Sequence, residues 1–125
     1  MQLFTDAIRR QLLANGQAQA PVRGTPAEID FKPVVKLFTP FGGATWLLTE
    51  VEPQEPDIAF GLCDLGLGFP ELGAVRLSEL EQAGAGLAAI ERDLFFTPDK
   101  TIGSYATEAS RLGYVRAGSS VASAG

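Results

Sequence analysis

The chain of 125 residues contains no histidine and a single cysteine, Cys63. No intrachain disulfide can form, and zinc sites built from several Cys and His ligands are excluded. Ser-His-Asp and Cys-His nucleophile pairs are excluded as well, because the base is missing. No apolar run approaches the ~20 residues that cross a bilayer. The N-terminal residues 1–6 lack the basic head and apolar stretch of a secretory signal. A cytoplasmic protein without a membrane partner is therefore expected.

Basic groups are scarce where they would matter for nucleic acid. Residues 1–49 carry five basic and three acidic side chains, residues 50–99 carry two and eleven, and residues 100–125 carry three and one. The central fifty residues thus hold −9 of a chain whose net charge is −5. A field of that sign repels phosphate backbones, and Arg9, Arg10 and Arg23 are too few to form a basic patch. Direct nucleic-acid binding is not expected. Hydrophobic content of 46% and charged content of 20% are those of a globular chain, which excludes global disorder. The length fits one domain, expected over residues 1–116, with a mobile Ala/Ser/Gly tail over 117–125.

Thr5 or Asp6 can cap a first helix running to about Ala14, with Phe4, Ile8 and Leu12 on one face and Gly16 just past its end. Residues 15–33 read as a long irregular connection, either pinned to the surface or functional. Apolar runs at 34–39 and 45–51 flank Pro40-Phe41-Gly42-Gly43, a hairpin signal. In the second run Thr45, Leu47, Thr49 and Val51 share one face, and Trp46, Leu48 and Glu50 the other. Pro53 and Pro56 then suggest a loop. Residues 58–65 alternate Ile58, Phe60, Leu62 and Asp64 against Ala59, Gly61 and Cys63, whose small side chains suit a closely packed helix in a central strand. After turn glycines, residues 72–77 read as a strand. Ser78-x-x-Glu81 reads as a capping box opening a short helix that Gly84 stops, and 87–92 as another strand. Asp99 or Thr101 can cap a last helix carrying Ile102, Tyr105, Ala106, Ala109 and Leu112 on one stripe and ending at Gly113. The order α-β-β-β-β-α-β-α predicts an α+β fold: a mostly antiparallel sheet of about five strands, with the N- and C-terminal helices packed on one side of it.

The glycines at 61, 66 and 68 do not make a phosphate loop, because no Gly-Lys-Ser/Thr follows and Asp64 and Glu71 flank them. Turn glycines are the reading adopted, and no cofactor is expected. Glu50, Asp64 and Glu71 are carboxylates within apolar strands or at their ends, where burial is costly without a partner. Ion pairing with Lys36, Arg76 or Arg92 is the ordinary explanation. A hard-cation or acid/base site is the alternative, which would make the protein a metal-assisted hydrolase or nuclease. Glu91-Arg92-Asp93 reads as a local ion-pair arrangement. Cys63 reads as a buried thiol made poorly reactive by the anion of Asp64. Trp46 and Phe41 flank the glycine turn and can form an aromatic anchor, though core packing is the commoner fate of a Trp.

These residues also carry a resemblance. The strings Lys36-Leu37-Phe38-x-Pro40, Thr45-Trp46-Leu47-Leu48-Thr49-Glu50, Asp57-x-x-Phe60-Gly61-Leu62-x-Asp64-Leu65-Gly66-x-Gly68-x-Pro70-Glu71-Leu72-Gly73 and Glu91-Arg92-Asp93-x-x-Phe96 resemble the bacterial domain of unknown function 2958 family, over residues 34–105. The resemblance implies a bacterial cytoplasmic protein of the kind carried among accessory genes of mobile elements. It implies no activity, cofactor or catalytic residue. The function expected is a non-enzymatic interaction or regulatory module that binds a protein partner through its acidic surface. Glu52, Glu55 and Asp57, in the Pro-interrupted stretch after Glu50, are the expected contact, with Glu50, Asp64 and Glu71 as further candidates. An acidic decoy that imitates nucleic acid is a third reading.

Overall fold

The computed structural model describes residues 2–83 and 89–118. Its elements follow the expected order: α1 (Asp6–Gln19), a 3-10 turn (Ala20–Val22), β1 (Val35–Phe38), β2 (Thr45–Glu52), β3 (Glu55–Asp64), β4 (Glu71–Arg76), α2 (Leu77–Glu81), β5 (Glu91–Arg92) and α3 (Ile102–Leu112). The five strands form one antiparallel sheet in the order β4-β3-β2-β1-β5. The fold is α+β as the sequence predicts. The Pro40–Gly43 hairpin pairs Phe38 with Thr45 and Leu37 with Trp46.

The terminal helices lie on opposite faces of the sheet, not on one side. Leu12 of α1 packs with Val35, Leu37, Trp46, Leu48 and Ala59. Tyr105 and Ala109 of α3 pack with Leu47 and Leu62 from the other face. Adjacent residues such as Leu47 and Leu48 serve separate cores because a strand alternates its side chains. Trp46 is core, only 7% exposed, so it forms no anchor with the exposed Phe41.

One irregularity decides the fate of the central acid. Leu48 is opposite Gly61 and Glu50 is opposite Phe60, so Thr49 is an extra residue bulging out of β2. Strict alternation puts Glu50 with Trp46 and Leu48. The bulge reverses the phase, placing Glu50 on the α3 face beside Phe60 and Val51 on the α1 face beside Ala59. The bulge is held by side chains: Asn15 donates to the Thr49 carbonyl (2.8 Å), and the Thr49 hydroxyl donates to the Phe60 carbonyl (3.2 Å). Gly61 is small because of this strand contact rather than a helix. A Cβ there would fall on the Leu47 carbonyl oxygen.

Three further expectations are corrected. Gly16 lies inside α1, which continues to Gln19, because its bare backbone lets the helix rest against the Val51 carbonyl. Pro53 and Pro56 do not open a loop. β2 and β3 form a tight hairpin, and Pro56 occupies the irregular stretch between the Val51–Ala59 and Glu52–Glu55 pairs, where the ladder asks for no N–H. Ser78 and Glu81 do not make a capping box. Arg76 is the N-cap, and the Ser78 amide and hydroxyl both donate to Asp57 of β3, at 2.9 and 2.7 Å. The stop expected at Gly84 and the first part of the 87–92 strand lie outside the described residues. β5 itself is two residues long.

α3 forms as its sequence predicts, with Thr101 as N-cap and Gly113 as a left-handed C-cap. The boundary of the expected tail moves, since Ala117 is buried in the α3-side core and its carbonyl accepts from Lys36. Residues 119–125 lie outside the described residues.

Candidate functional site

Two depressions lie on the two faces of β4, and their chemistry is opposite. On the α3 face a cleft of about 460 Å³ is lined by Gln19, Arg23, Asp30, Glu50, Phe60 and Leu72, among others. Glu50 is only 6% exposed; its carboxylate accepts from the Arg23 guanidinium (3.2 Å) and shares the single Thr49 hydroxyl proton with the Phe60 carbonyl, 3.2 Å from each. The same guanidinium lies over the Phe60 ring, 4.7 Å from its centre. A planar cation on an aromatic face, hydrogen-bonded to a carboxylate, satisfies both the charge and the ring quadrupole.

The long segment before β1 forms the wall of this cleft, and it is pinned. The buried Gln19 side chain donates to the Ile29 carbonyl and accepts from its amide, both at 2.8 Å, as a neighbouring strand would. Asp30 accepts from the Gly103 amide (2.8 Å), and the Ile102 amide donates to Phe31 (2.7 Å). The polar groups of the cleft thus bind to one another.

The other sequence-derived acids disperse. Asp64, 2% exposed, accepts from the amides of Gly66 (2.8 Å) and Val115 (3.0 Å), fixing the chain after α3 to the sheet. Glu71 is exposed and opposite Cys63, so it lies on the face away from Asp64. Among the described residues no three His, Cys, Asp or Glu side chains gather as a metal ion requires. Glu50, Asp64 and Glu71 therefore do not form the cation site considered from the sequence. Lys36, Arg76 and Arg92 do not pair with them either: Lys36 pairs with Asp93 (3.3 Å), and Arg76 with Glu55 (3.1 Å) and Asp57 (3.6 Å). Arg92 donates to the Gln2 and Leu3 carbonyls, and Asp93 of the same triplet pairs with Lys36.

Within the expected contact stretch, Glu52 accepts from the Gln54 amide and Glu55 holds Arg76. Asp57 is occupied as the cap of α2. The Ser78 hydroxyl and amide, with Arg76 behind them, hold its carboxyl below the usual 3.8. On the α3 face Tyr105 donates to Asp99 (2.7 Å), and burial pushes its phenol up to about 12. The Cys63 thiol is half-buried and pushed up by that burial, not by Asp64, which points to the opposite face.

The second depression, about 430 Å³, lies on the α1 face of β4. Trp46, Cys63 and Val75 form its floor, and Leu65, Leu67 and Phe69 of the β3–β4 loop its wall. Phe69 is 80% and Leu67 74% exposed, with Leu65 and Leu72 also open. The loop rests against the first hairpin. Gly66 has φ +79° and abuts Gly43, where a Cβ would lie 3.2 Å from the Gly43 carbonyl carbon. That contact sets the loop beside the turn carrying the exposed Phe41. Sequence reasoning treated these residues as a turn and missed the patch. The signal was present: three large apolar residues alternate with glycines in Leu65-Gly66-Leu67-Gly68-Phe69, where a tight turn leaves no core to enter.

β4 completes the groove as a bare edge. The Thr39 amide donates to Ala44, and the Asp93 amide to Lys36, so Leu37 directs its main chain to β2. Alternation of the ladders then sends the main chain of Thr45 and Leu47 to β3, of Gly61 and Cys63 to β4, and of Glu71, Gly73 and Val75 back to β3. The amides and carbonyls of Leu72 and Ala74 consequently face away from the sheet.

No helix among the described residues is long and apolar enough to cross a membrane. No curated protein and no solved structure matches the chain. The family model described as "Protein of unknown function (DUF2958)" matches residues 3–116, which includes both depressions, α1 and all five strands. The chain therefore belongs to the DUF2958 family.

Proposed function

We propose that this chain is a non-enzymatic protein-interaction module, of regulatory use, that meets its partner through the apolar groove beside β4. The observation that carries the reading is the continuous exposure of Leu65, Leu67 and Phe69 beside an open sheet edge. Large apolar side chains grouped on a surface mark a binding site far more often than singly exposed ones. The polar candidates are already engaged: Glu50 by Arg23, Asp57 by Ser78 and Asp64 by two amides. The acidic surface keeps a secondary part, through Glu52 and Glu71, in selecting partners of opposite charge. The half-buried free thiol of Cys63 suits a reducing compartment, and the reading places the protein in the cytoplasm.

A photo-crosslinking residue placed at 67 or 69 in living cells tests this. Adducts with a discrete protein are expected from both positions. They should disappear when Leu65 is also replaced by Ser, and should not form from position 79 on α2. Crosslinking from position 52 but not from 67 or 69 would return the contact to the acidic stretch and overturn the groove.

A further inference from the structure

We infer that the occupant of the groove is an extended segment of a different protein, which adds to β4 as a sixth strand and carries a basic residue against Glu71. This rests on the reading above and names the partner's chemistry. β4 is six residues long and exposed along almost its whole length, whereas the opposite edge, β5, has only two residues. Natural sheets blunt their edges by shortening, charging or covering them. Here β5 is blunted and β4 is not. Leu72 and Ala74 present outward main-chain groups, which is what a pairing strand needs.

Side chains of an added strand alternate, so every second one would enter the groove on the α1 face. Room for it exists: nothing lies within 4 Å of a Cβ built on Gly73, between the open Glu71 and the half-buried Val75. Main-chain pairing would supply affinity and the groove would select apolar residues. The surroundings set the charge. Glu71 borders the groove, and the central segment of the chain carries eleven acidic against two basic groups.

A second copy fits less well. Two β4 strands paired about a two-fold axis must place residues of the same phase opposite each other. Centred on Gly73, the pairing sets Glu71 against the partner copy's valine. Centred on Ala74, it carries Glu71 past the end of the partner copy's β4. No same-phase register offers Glu71 a cation, and the copies repel through their like charge.

The test is selection from a displayed library of random twelve-residue peptides against the whole chain. Expected binders alternate apolar residues and include Lys or Arg. Methylating alternate peptide amides should weaken binding at least tenfold, and so should Ala74→Pro, which removes an outward amide but no bond to β3. Gly73→Val, filling the open space with a strand-favouring side chain, should do the same, and Glu71→Gln should weaken it severalfold. Each variant must melt like the parent, and Gly73→Val serves if Ala74→Pro does not fold. The inference is overturned if no peptide binds. It is overturned equally if binders survive both amide methylation and the β4 variants, or if the chain dimerises through β4. Binding that needs Leu67 and Phe69 but tolerates amide methylation and the β4 variants would leave the interaction reading standing and remove only the added strand.

Discussion

The two faces of β4 show opposite relations between chemistry and use. On the α3 face Arg23, Glu50, Thr49 and Phe60 are assembled in a form often associated with catalysis, yet each polar group is already bonded to a neighbour. On the α1 face the groove offers almost no chemistry, yet Leu67 and Phe69 stand largely in solvent. A buried carboxylate must be paired to be tolerated, so its presence reports first on folding. An exposed Phe has no such structural reason, and the interaction reading proposed above assigns it to a partner.

The comparison breaks most sharply at two glycines that sit opposite each other in the β3–β4 register, Gly61 and Gly73. Gly61→Ala drives a methyl into the backbone of Leu47 and Leu48, which cannot yield without undoing the bulge. A loss of about 3 kcal/mol or more is expected, the upper end for overpacking. A fall in the urea midpoint checks this, and an unchanged midpoint would show that the bulge adapts freely.

The cleft comes next. Arg23→Ala leaves Glu50 buried with only a hydroxyl donor. Removing one partner of a fully buried pair costs about 3–5 kcal/mol, and because the Arg23 side chain is about one-third exposed, about 2–3 kcal/mol is expected. If Arg23→Ala instead melts unchanged, Glu50 is not dependent on its partner and the cleft regains interest as a binding site.

How much of this was legible in the sequence depends on the distance over which each determinant acts. α3 was read almost residue by residue, because Thr101, the Ile102–Tyr105–Ala109 stripe and Gly113 all act within one helix. The first hairpin was read for the same reason. The bulge at Thr49 was not, since it is fixed by Asn15 and Phe60, and it carried Glu50 to the other face. Ser78 and Glu81 satisfied a local capping pattern, but Asp57, distant in sequence, supplied the cap. Glu50 and Asp64 were rightly singled out as acids needing partners. Those partners are Arg23, Gly66 and Val115, which no spacing around the acids announces.

Two titrations separate structural acids from exposed ones. Asp57 has a lowered folded pKa, so its contribution is present above the unfolded value of 3.8 and is lost as pH falls below it. The gap in melting temperature between the parent and Asp57→Asn should be open at pH 7 and close in that acid window. Tyr105 behaves in the opposite sense. With its folded pKa raised to about 12, its contribution is full below about 10 and is lost as pH rises from 10 to 12. Tyr105→Phe should therefore melt with a flatter pH dependence across that alkaline range, and an identical slope would place the phenol in contact with water.

The smallest effects are expected in the groove, and their smallness is the informative result. Leu67→Ser and Phe69→Ser remove side chains that are three-quarters or more exposed, so each should shift stability by no more than about 0.5 kcal/mol. Gly73→Ala adds a Cβ into open space and removes backbone freedom from the unfolded chain, which is expected to raise stability by up to about 1 kcal/mol. Thermal or urea unfolding of the three variants checks both statements. Hydrophobic groups whose removal leaves the fold intact, beside a glycine whose replacement improves it, are a departure from the stability optimum. The proposed interaction surface would account for that departure. If Leu67→Ser or Phe69→Ser instead lowers stability by 2 kcal/mol or more, the loop packs as part of the core in solution, and the contrast between the two faces of β4 disappears.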